Sequence, residues 1–359
     1  LFDAIIGIFE ASAKLGIAIW LIYSHVDKLI LYGLLMACLT IIIRLLKSTY
    51  CIRKYEECRA RVRHGIDVAL VKEMISFAGW NLFGYFCSVL KSQGLAILLN
   101  KFFGIVINAA YGVTNQVNSN IKVFSTNMVR AIMPQITKSE GGGDRERMLR
   151  LSVLASKMSF FLLAFFAVPI LIEMPFVLKV WLKTVPDNAV IFCQLTLVIS
   201  MMYQITVGTM AAVTSVGNIK AFQIAVGAIE IFNLPAAYFL MRLGLPAHYV
   251  FYNSIFWEFI AGNIRIYYAH KLAGLNLKEF LFKTLLCSAL TVGVASGFAF
   301  ALTVMFPESF LRAFSVGVVT SITIVILGRY LVLTREEYDK LAEIVRSALA
   351  KVKKQMRRA

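Results

Sequence analysis

The stretch from Gly104 to Met133 reads GIVINAAYGVTNQVNSNIKVFSTNMVRAIM and is long enough to cross a bilayer as one helix. It nevertheless carries many amides and cations, namely Asn108, Asn115, Gln116, Asn118, Asn120, Lys122, Asn127 and Arg130. A polar group left unsatisfied in hydrocarbon costs several kcal/mol. We therefore expect this helix to face water or protein along one side.

The apolar residues of this stretch lie on one helical face, because they follow alternating steps of four and three residues from Val106 to Met128. The polar residues on the other side are Asn108, Tyr111, Asn115, Ser119, Lys122 and Thr126. We interpret this side as the wall of a polar cavity inside a membrane protein, and we assign Gln116 to the same cavity.

The composition indicates a membrane protein along the whole chain. The 359 residues are 59% hydrophobic with a mean hydropathy of +0.74, which lies outside the range of soluble globular proteins. Ten apolar stretches have roughly the length that a bilayer requires. They span residues 2–24, 29–46, 74–100, 103–133, 151–176, 189–213, 219–242, 247–270, 280–305 and 310–333. We predict an all-α polytopic fold with about ten transmembrane helices.

The net charge of +17 reflects membrane topology rather than nucleic-acid binding, because Lys and Arg crowd alternate loops. The basic loops lie around residues 47–72, 138–150 and 271–283, and the tail after residue 335 is also basic. This positive-inside pattern places both ends of the chain in the cytoplasm. Cytoplasmic thiols stay reduced, and the six cysteines lack the His partners of a zinc site, so we expect no metal.

The chain carries no sequence motif of an enzyme. Four histidines are scattered at loop or interface positions, and there is no GxSxG elbow, His-Glu-x-x-His motif or Walker sequence. We therefore expect no catalytic residue and no cofactor. Any transport must draw on a source other than ATP hydrolysis by this chain.

Ionisable residues inside the predicted spans are hypotheses for a functional site. Lys91 and Gln93 lie deep in the stretch 74–100, and Lys122 lies on the polar helix. In the functional interpretation, the two lysines attract an anionic headgroup while amides bind hydroxyls. In the alternative interpretation, Lys91 pairs with a glutamate of another helix. Ion coupling and structural pairing both stay open for four further residues, Glu10, Lys14, Glu230 and Glu258.

Five segments carry a resemblance to a known family. They begin at Ser76 (SFAGWNLFG), Gln93 (QGLAILLN), Asn108 (NAAYGVTNQV), Pro134 (PQITKS) and Trp181 (WLKTVP). In these segments the chain resembles the bacterial oligosaccharide-lipid flippases, the O-antigen or polysaccharide exporters of a superfamily that also contains the multidrug and toxin extrusion (MATE) transporters. The family fold has two six-helix lobes around a central cavity, often with two additional C-terminal spans.

The resemblance implies a MATE-like division of the chain. Residues 1–46 would be the last two helices of an incomplete first lobe, 47–73 a basic cytoplasmic loop, and 74–270 a six-helix second lobe. Residues 271–333 would be two peripheral spans. In 334–359, the spacing of the apolar residues predicts a basic amphipathic helix on the cytoplasmic leaflet, and a solvated charged tail is the open alternative. The first four helices of the family pattern have no counterpart in the sequence, so we expect the chain to be truncated at its N-terminus.

The resemblance further implies that an undecaprenyl-diphosphate-linked oligosaccharide is turned across the bacterial inner membrane by alternating access. Proton or sodium coupling would drive the turnover, and membrane lipids and a polysaccharide polymerase with its chain-length machinery would be the partners. Tyr111 stands where relatives often carry Arg, which removes one positive charge. Two other functions stay open, a multidrug exporter of the same superfamily and a non-transporting membrane subunit of glycan assembly.

Overall fold

The computed structural model describes residues 2–23, 27–55, 67–334 and 337. Within these residues the chain is helical, with short connections and no strand.

Twelve α-helices follow one another in the described part of the chain. Their bounds are Phe2–Tyr23 (α1), Lys28–Lys54 (α2), Val68–Gly141 (α3), Arg145–Ile172 (α4), Met174–Trp181 (α5), Ala189–Gln204 (α6), Val207–Val216 (α7), Lys220–Arg242 (α8), Tyr249–Tyr268 (α9), Leu277–Glu279 (α10), Cys287–Met305 (α11) and Phe310–Leu327 (α12). Three π-helical segments, Ala269–Ala273, Phe280–Leu286 and Gly328–Val332, continue α9, precede α11 and continue α12. The chain divides into two compact units, Leu1–Val71 and Lys72–Ala359.

The first unit contains a pair of packed helices. Helices α1 and α2 contact each other through Ile6, Leu39 and Ile43. On α1, Lys14 donates a hydrogen bond of 2.6 Å to Glu10, and both side chains are partly exposed. The spacing of four residues predicts that these two share a helical face, and they pair within that one helix.

Helix α3 folds back on itself at Gly104. The backbone there has φ 82° and ψ −174°, a conformation that glycine adopts without steric penalty. The Tyr111 hydroxyl donates to the carbonyl oxygen of Ser92 at 3.3 Å across 19 residues. A straight helix of that length would separate the two residues by about 28 Å. Helix α3 is therefore a hairpin of an N-terminal arm (68–103) and a C-terminal arm (105–141), and these arms contain the predicted stretches 74–100 and 103–133.

The N-terminal arm packs closely on α8. A Cβ atom placed at Gly94 of the arm or at Gly227 of α8 would lie under 3.0 Å from a side chain of the opposing helix. Small residues at such positions let two membrane helices approach closely. This approach brings Lys91 of the arm to Glu230 of α8.

The predicted stretch 189–213 is a broken helix rather than a straight one. Helices α6 and α7 meet at a bend of 40°. Side chains of α4 satisfy backbone groups that the break leaves free: Ser156 Oγ accepts from the Gly208 N–H at 3.0 Å, and Ser159 Oγ donates to the Gln204 carbonyl at 3.3 Å. The bend places Tyr203 and Thr206 beside α9.

The C-terminal helices α11 and α12 pack on each other and on α4. At one end, Arg312 donates two hydrogen bonds to the Glu173 carboxylate, of 2.9 and 2.8 Å. Glu173 lies between α4 and α5 and is buried. A bidentate pair of this kind fixes geometry as well as charge, so it attaches the start of α12 to the end of α4.

Among the described residues, six helices have the length and apolar composition needed to cross a membrane, or seven if the bent pair α6–α7 forms one span. Helix α3 counts once in that number although Gly104 divides it. The predicted all-helical, multi-pass architecture is confirmed in this form. The total of ten spans and the division into MATE-like lobes stay predictions.

Helix α2 continues to Lys54 and α3 begins at Val68, so both helices extend into the range 47–73 that is predicted as a basic cytoplasmic loop. Its residues 56–66 lie outside the described residues, and so do 335, 336 and 338–359 of the predicted tail. At the start of the tail, Thr334 and Glu337 bond each other's backbone N–H groups, as in a capping box.

Candidate functional site

Charged side chains from several helices meet inside the second unit. We call this group the charged cluster, and its members are Lys91 and Lys122 from the two arms of α3, Tyr203 of α6, Glu230 of α8, and Glu258 and Arg265 of α9. Ionisable groups within membrane spans are costly unless they are paired, and they mark sites of function.

The deepest part of the cluster is an ion pair on α9. Arg265 and Glu258 lie two turns apart and are hydrogen-bonded to each other. Their side chains are only 1% and 3% exposed. Arg265 also donates to Thr206 Oγ1 at 3.3 Å, which connects α9 to the α6–α7 bend.

Glu230 lies between two cations. Its Oε2 atom is 2.8 Å from Lys91 Nζ, and its Oε1 atom is 4.0 Å from Arg265 Nη2. The pair with Lys91 confirms the alternative in which a glutamate of another helix neutralises this lysine. It is more accessible than the α9 pair, since the Lys91 and Glu230 side chains are 18% and 11% exposed.

Tyr203 lies between the other two cations. Lys122 Nζ is 4.3 Å and Arg265 Cζ is 4.7 Å from the centroid of its ring. Both distances are within the range of a cation–π interaction. The ring therefore links the C-terminal arm of α3 to α9.

Lys122 is the cation of the cluster without a carboxylate of its own. In the described part of the chain it forms no salt bridge, although Glu258 and Glu230 attract it and Arg265 and Lys91 repel it over longer distances. Three cations thus face two carboxylates, which leaves an excess of one positive charge. This excess suits an anionic ligand.

An exposed amide face borders Lys122 on the C-terminal arm. Its members Asn115 and Ser119 are exposed, Asn108 is half-buried, and Gln116 is exposed at its edge. Asn120 is also exposed, but it lies about 200° around the helix from Lys122 and so faces away from it. Asn118 is turned to the interior instead and accepts a 2.6 Å hydrogen bond from Ser200 of α6. The polar side of the helix is therefore open within the second unit and is not sealed in side-chain packing.

Two of the predicted cavity residues lie elsewhere. Tyr111 is buried in the hydrophobic core beside Phe251, with ring centroids 6.1 Å apart, and its hydroxyl donates a hydrogen bond to the Ser92 carbonyl. Gln93 is exposed, but it lies about 200° around the helix from Lys91 and so faces away from the cluster.

Ion coupling and structural pairing are both open for four residues, and the structure brings two of them, Glu230 and Glu258, to the charged cluster. Glu10 and Lys14 belong to the first unit.

Tyr203 and Thr206 were not assigned to the site from the sequence, whereas Arg265, like Glu258, is one of the ionisable residues within the predicted spans. A charged residue two turns from Glu258 on an apolar helix is a signal for Arg265. No sequence signal marks Tyr203 or Thr206, because their roles arise from the bend between α6 and α7.

The charged cluster combines cations, carboxylates and an aromatic ring, which are groups that can bind an anionic ligand. Within the described ranges, no group of three or more His, Cys, Asp or Glu side chains is placed to hold a metal ion.

The chain matches no protein-family model, no curated protein and no solved structure.

Proposed function

We propose that this protein is a flippase for undecaprenyl-diphosphate-linked oligosaccharide, which it turns from the cytoplasmic to the outer leaflet of the bacterial inner membrane. The observation that carries this proposal is the position of Lys122, a cation without a carboxylate partner in the described structure, beside an open amide face on a membrane-length helix.

Lys122 and the amide face match the two parts of such a headgroup, the diphosphate and the sugars. At an effective dielectric constant near 20, a cation about 4 Å from a phosphate gains roughly 4 kcal/mol before desolvation is subtracted. Amide and hydroxyl side chains such as Asn115, Gln116 and Ser119 donate to and accept from sugar hydroxyls. The polyprenyl chain stays in the lipid.

The fold also offers elements for alternating access. The bend between α6 and α7 and the prolines within helices α4 and α8, Pro169 and Pro235, interrupt otherwise regular spans. Broken helices beside a polar site are typical of secondary transporters.

Both carboxylates of the cluster are buried and lie near cations, which disfavours a multidrug exporter, since a cationic drug requires an accessible negative charge.

Complementation of a bacterial strain that lacks its own lipid-linked-oligosaccharide flippase tests the proposal. We expect expression of the protein to restore surface polysaccharide and Lys122→Ala to abolish the restoration at equal protein level. Lys101→Ala is the matched control, because Lys101 is exposed and lies outside the cluster. Drug resistance in a pump-deficient host without a glycan phenotype would instead indicate the exporter. Full restoration by Lys122→Ala would contradict the role given to this lysine.

A further inference from the structure

Lys91 and Lys122 approach the same region from the two arms of one hairpin. Lys91 reaches it through Glu230, which also lies near Arg265, and Lys122 reaches it through the Tyr203 ring, which also lies against Arg265. Lys122 has no described carboxylate partner, whereas Lys91 is paired with Glu230 at 2.8 Å. A ligand with one phosphate meets one available cation, and a ligand with two phosphates must compete with Glu230 for the second.

Glu230 has a second cation within reach when Lys91 is taken from it. Its other carboxylate oxygen is already 4.0 Å from Arg265. Breaking a buried ion pair is costly mainly because it leaves one charge uncompensated. Here the carboxylate keeps a partner, so the exchange avoids most of that penalty.

The ion pair between Lys91 and Glu230 is also more exchangeable than the pair between Glu258 and Arg265. It is several-fold more exposed than the pair between Glu258 and Arg265. Lys91 and Glu230 Oε2 form an ion pair, but their orientation does not make it a hydrogen bond. Glu258, in contrast, is hydrogen-bonded to Arg265 and nearly inaccessible.

We propose that Glu230 stands in for the second phosphate of the ligand: it holds Lys91 when no anion is bound, and a diphosphate displaces it toward Arg265. This inference rests on the proposed function, since it assumes an anionic lipid headgroup at Lys122. It makes Glu230 a specificity-determining residue that distinguishes diphosphate from monophosphate headgroups.

The test is a binding comparison on the full chain in lipid nanodiscs with three probes: farnesyl diphosphate, farnesyl monophosphate and inorganic diphosphate. We expect Glu230→Gln to raise the affinity for farnesyl diphosphate about tenfold, a typical coupling between linked sites. The affinity for farnesyl monophosphate should change much less, because Lys122 is already available to one phosphate. Adding Lys91→Met to Glu230→Gln should remove the gain.

Equal gains for the monophosphate and diphosphate lipids would overturn the inference, and so would a gain that survives Lys91→Met. If the wild type binds farnesyl diphosphate and Glu230→Gln leaves the ratio of the affinities for the diphosphate and monophosphate lipids unchanged, Glu230 does not exchange with a phosphate. The flippase proposal stands in that case. A gain for inorganic diphosphate alone supports the exchange and contradicts a lipid cargo. If none of the probes binds, both ideas fail. If Glu230→Gln does not fold, Glu230→Asp replaces it, because the shorter side chain withdraws the carboxylate from Lys91 by one methylene. Glu230→Asp must then also raise the affinity for farnesyl diphosphate relative to farnesyl monophosphate.

Discussion

The ammonium nitrogen of Lys122 lies 4.3 Å from the centroid of the Tyr203 ring. The ring supplies a partner to a cation that no carboxylate of the described structure neutralises at close range. Because an aromatic face attracts a cation without cancelling its charge, Lys122 is both held in place and still able to attract an anion.

Replacing the Tyr203 ring tests this role. We expect Tyr203→Leu to destabilise the protein by about 0.5–2 kcal/mol, the range of cation–π interactions, and to weaken binding of a diphosphate lipid. Tyr203→Phe keeps the aromatic face and should behave as wild type. Thermal unfolding in detergent and lipid binding measure the two effects. If the Leu and Phe variants are indistinguishable, the ring does not position Lys122.

The buried pair of Glu258 and Arg265 should respond asymmetrically to mutation. Arg265→Met leaves the carboxylate of Glu258 without its partner, so we expect a loss of about 3–5 kcal/mol in the free energy of unfolding. The double variant with Glu258→Gln should recover much of that loss, because no unpaired charge remains. Denaturant unfolding of the purified protein measures both, and a double variant no better than Arg265→Met alone would argue against the pairing.

Contact between α4 and α7 depends on Gly208. A Cβ atom there would collide with the backbone carbonyl of Ser152 and lie 2.6 Å from Ser156 Oγ. Overpacking of this kind typically costs about 1–3 kcal/mol, and we expect Gly208→Ala to lower thermal stability accordingly. Gly293→Ala is the control, since a Cβ on that residue of α11 meets nothing within 4 Å. Equal effects of the two substitutions would contradict the close approach.

The reversal at Gly104 predicts a conformational penalty. With φ at 82°, an alanine would be strained by about 1–3 kcal/mol although no neighbour blocks its side chain. Gly112→Ala, in the helical part of the same hairpin, should be neutral or slightly stabilising. Thermal unfolding of the two variants separates strain from packing. A Gly104→Ala variant as stable as wild type would mean that the hairpin turns elsewhere.

Much of the fold follows from residue periodicity and length. Runs of apolar residues predict helices, and every one of the ten stretches is largely helical in the structure. Breaks were harder to predict. The Gly104 reversal needs one residue with an unusual φ, and the α6–α7 bend is stabilised by Ser156 and Ser159 of another helix. Neither leaves a mark in the hydropathy pattern.

The candidate site was predictable in its residue types and less so in its contacts. Helical spacing shows which residues share a face, and Asn115, Ser119 and Lys122, which share one, are exposed or half-buried in the structure. It does not show which neighbour covers a face. Tyr111 belongs to the same stripe but lies at its edge, where Phe251 of α9 packs over it.

The most direct test of the account is whether the amide face of the C-terminal arm meets water within the membrane. Ser119→Cys, in a protein whose six native cysteines are replaced, should react with a membrane-impermeant thiol reagent in intact membranes. Leu290→Cys on α11 is the control, because Leu290 is exposed on an apolar span that faces lipid in this account. We predict rapid labelling at residue 119 and little at residue 290. Absence of labelling at residue 119 would contradict a water-accessible, positively charged site.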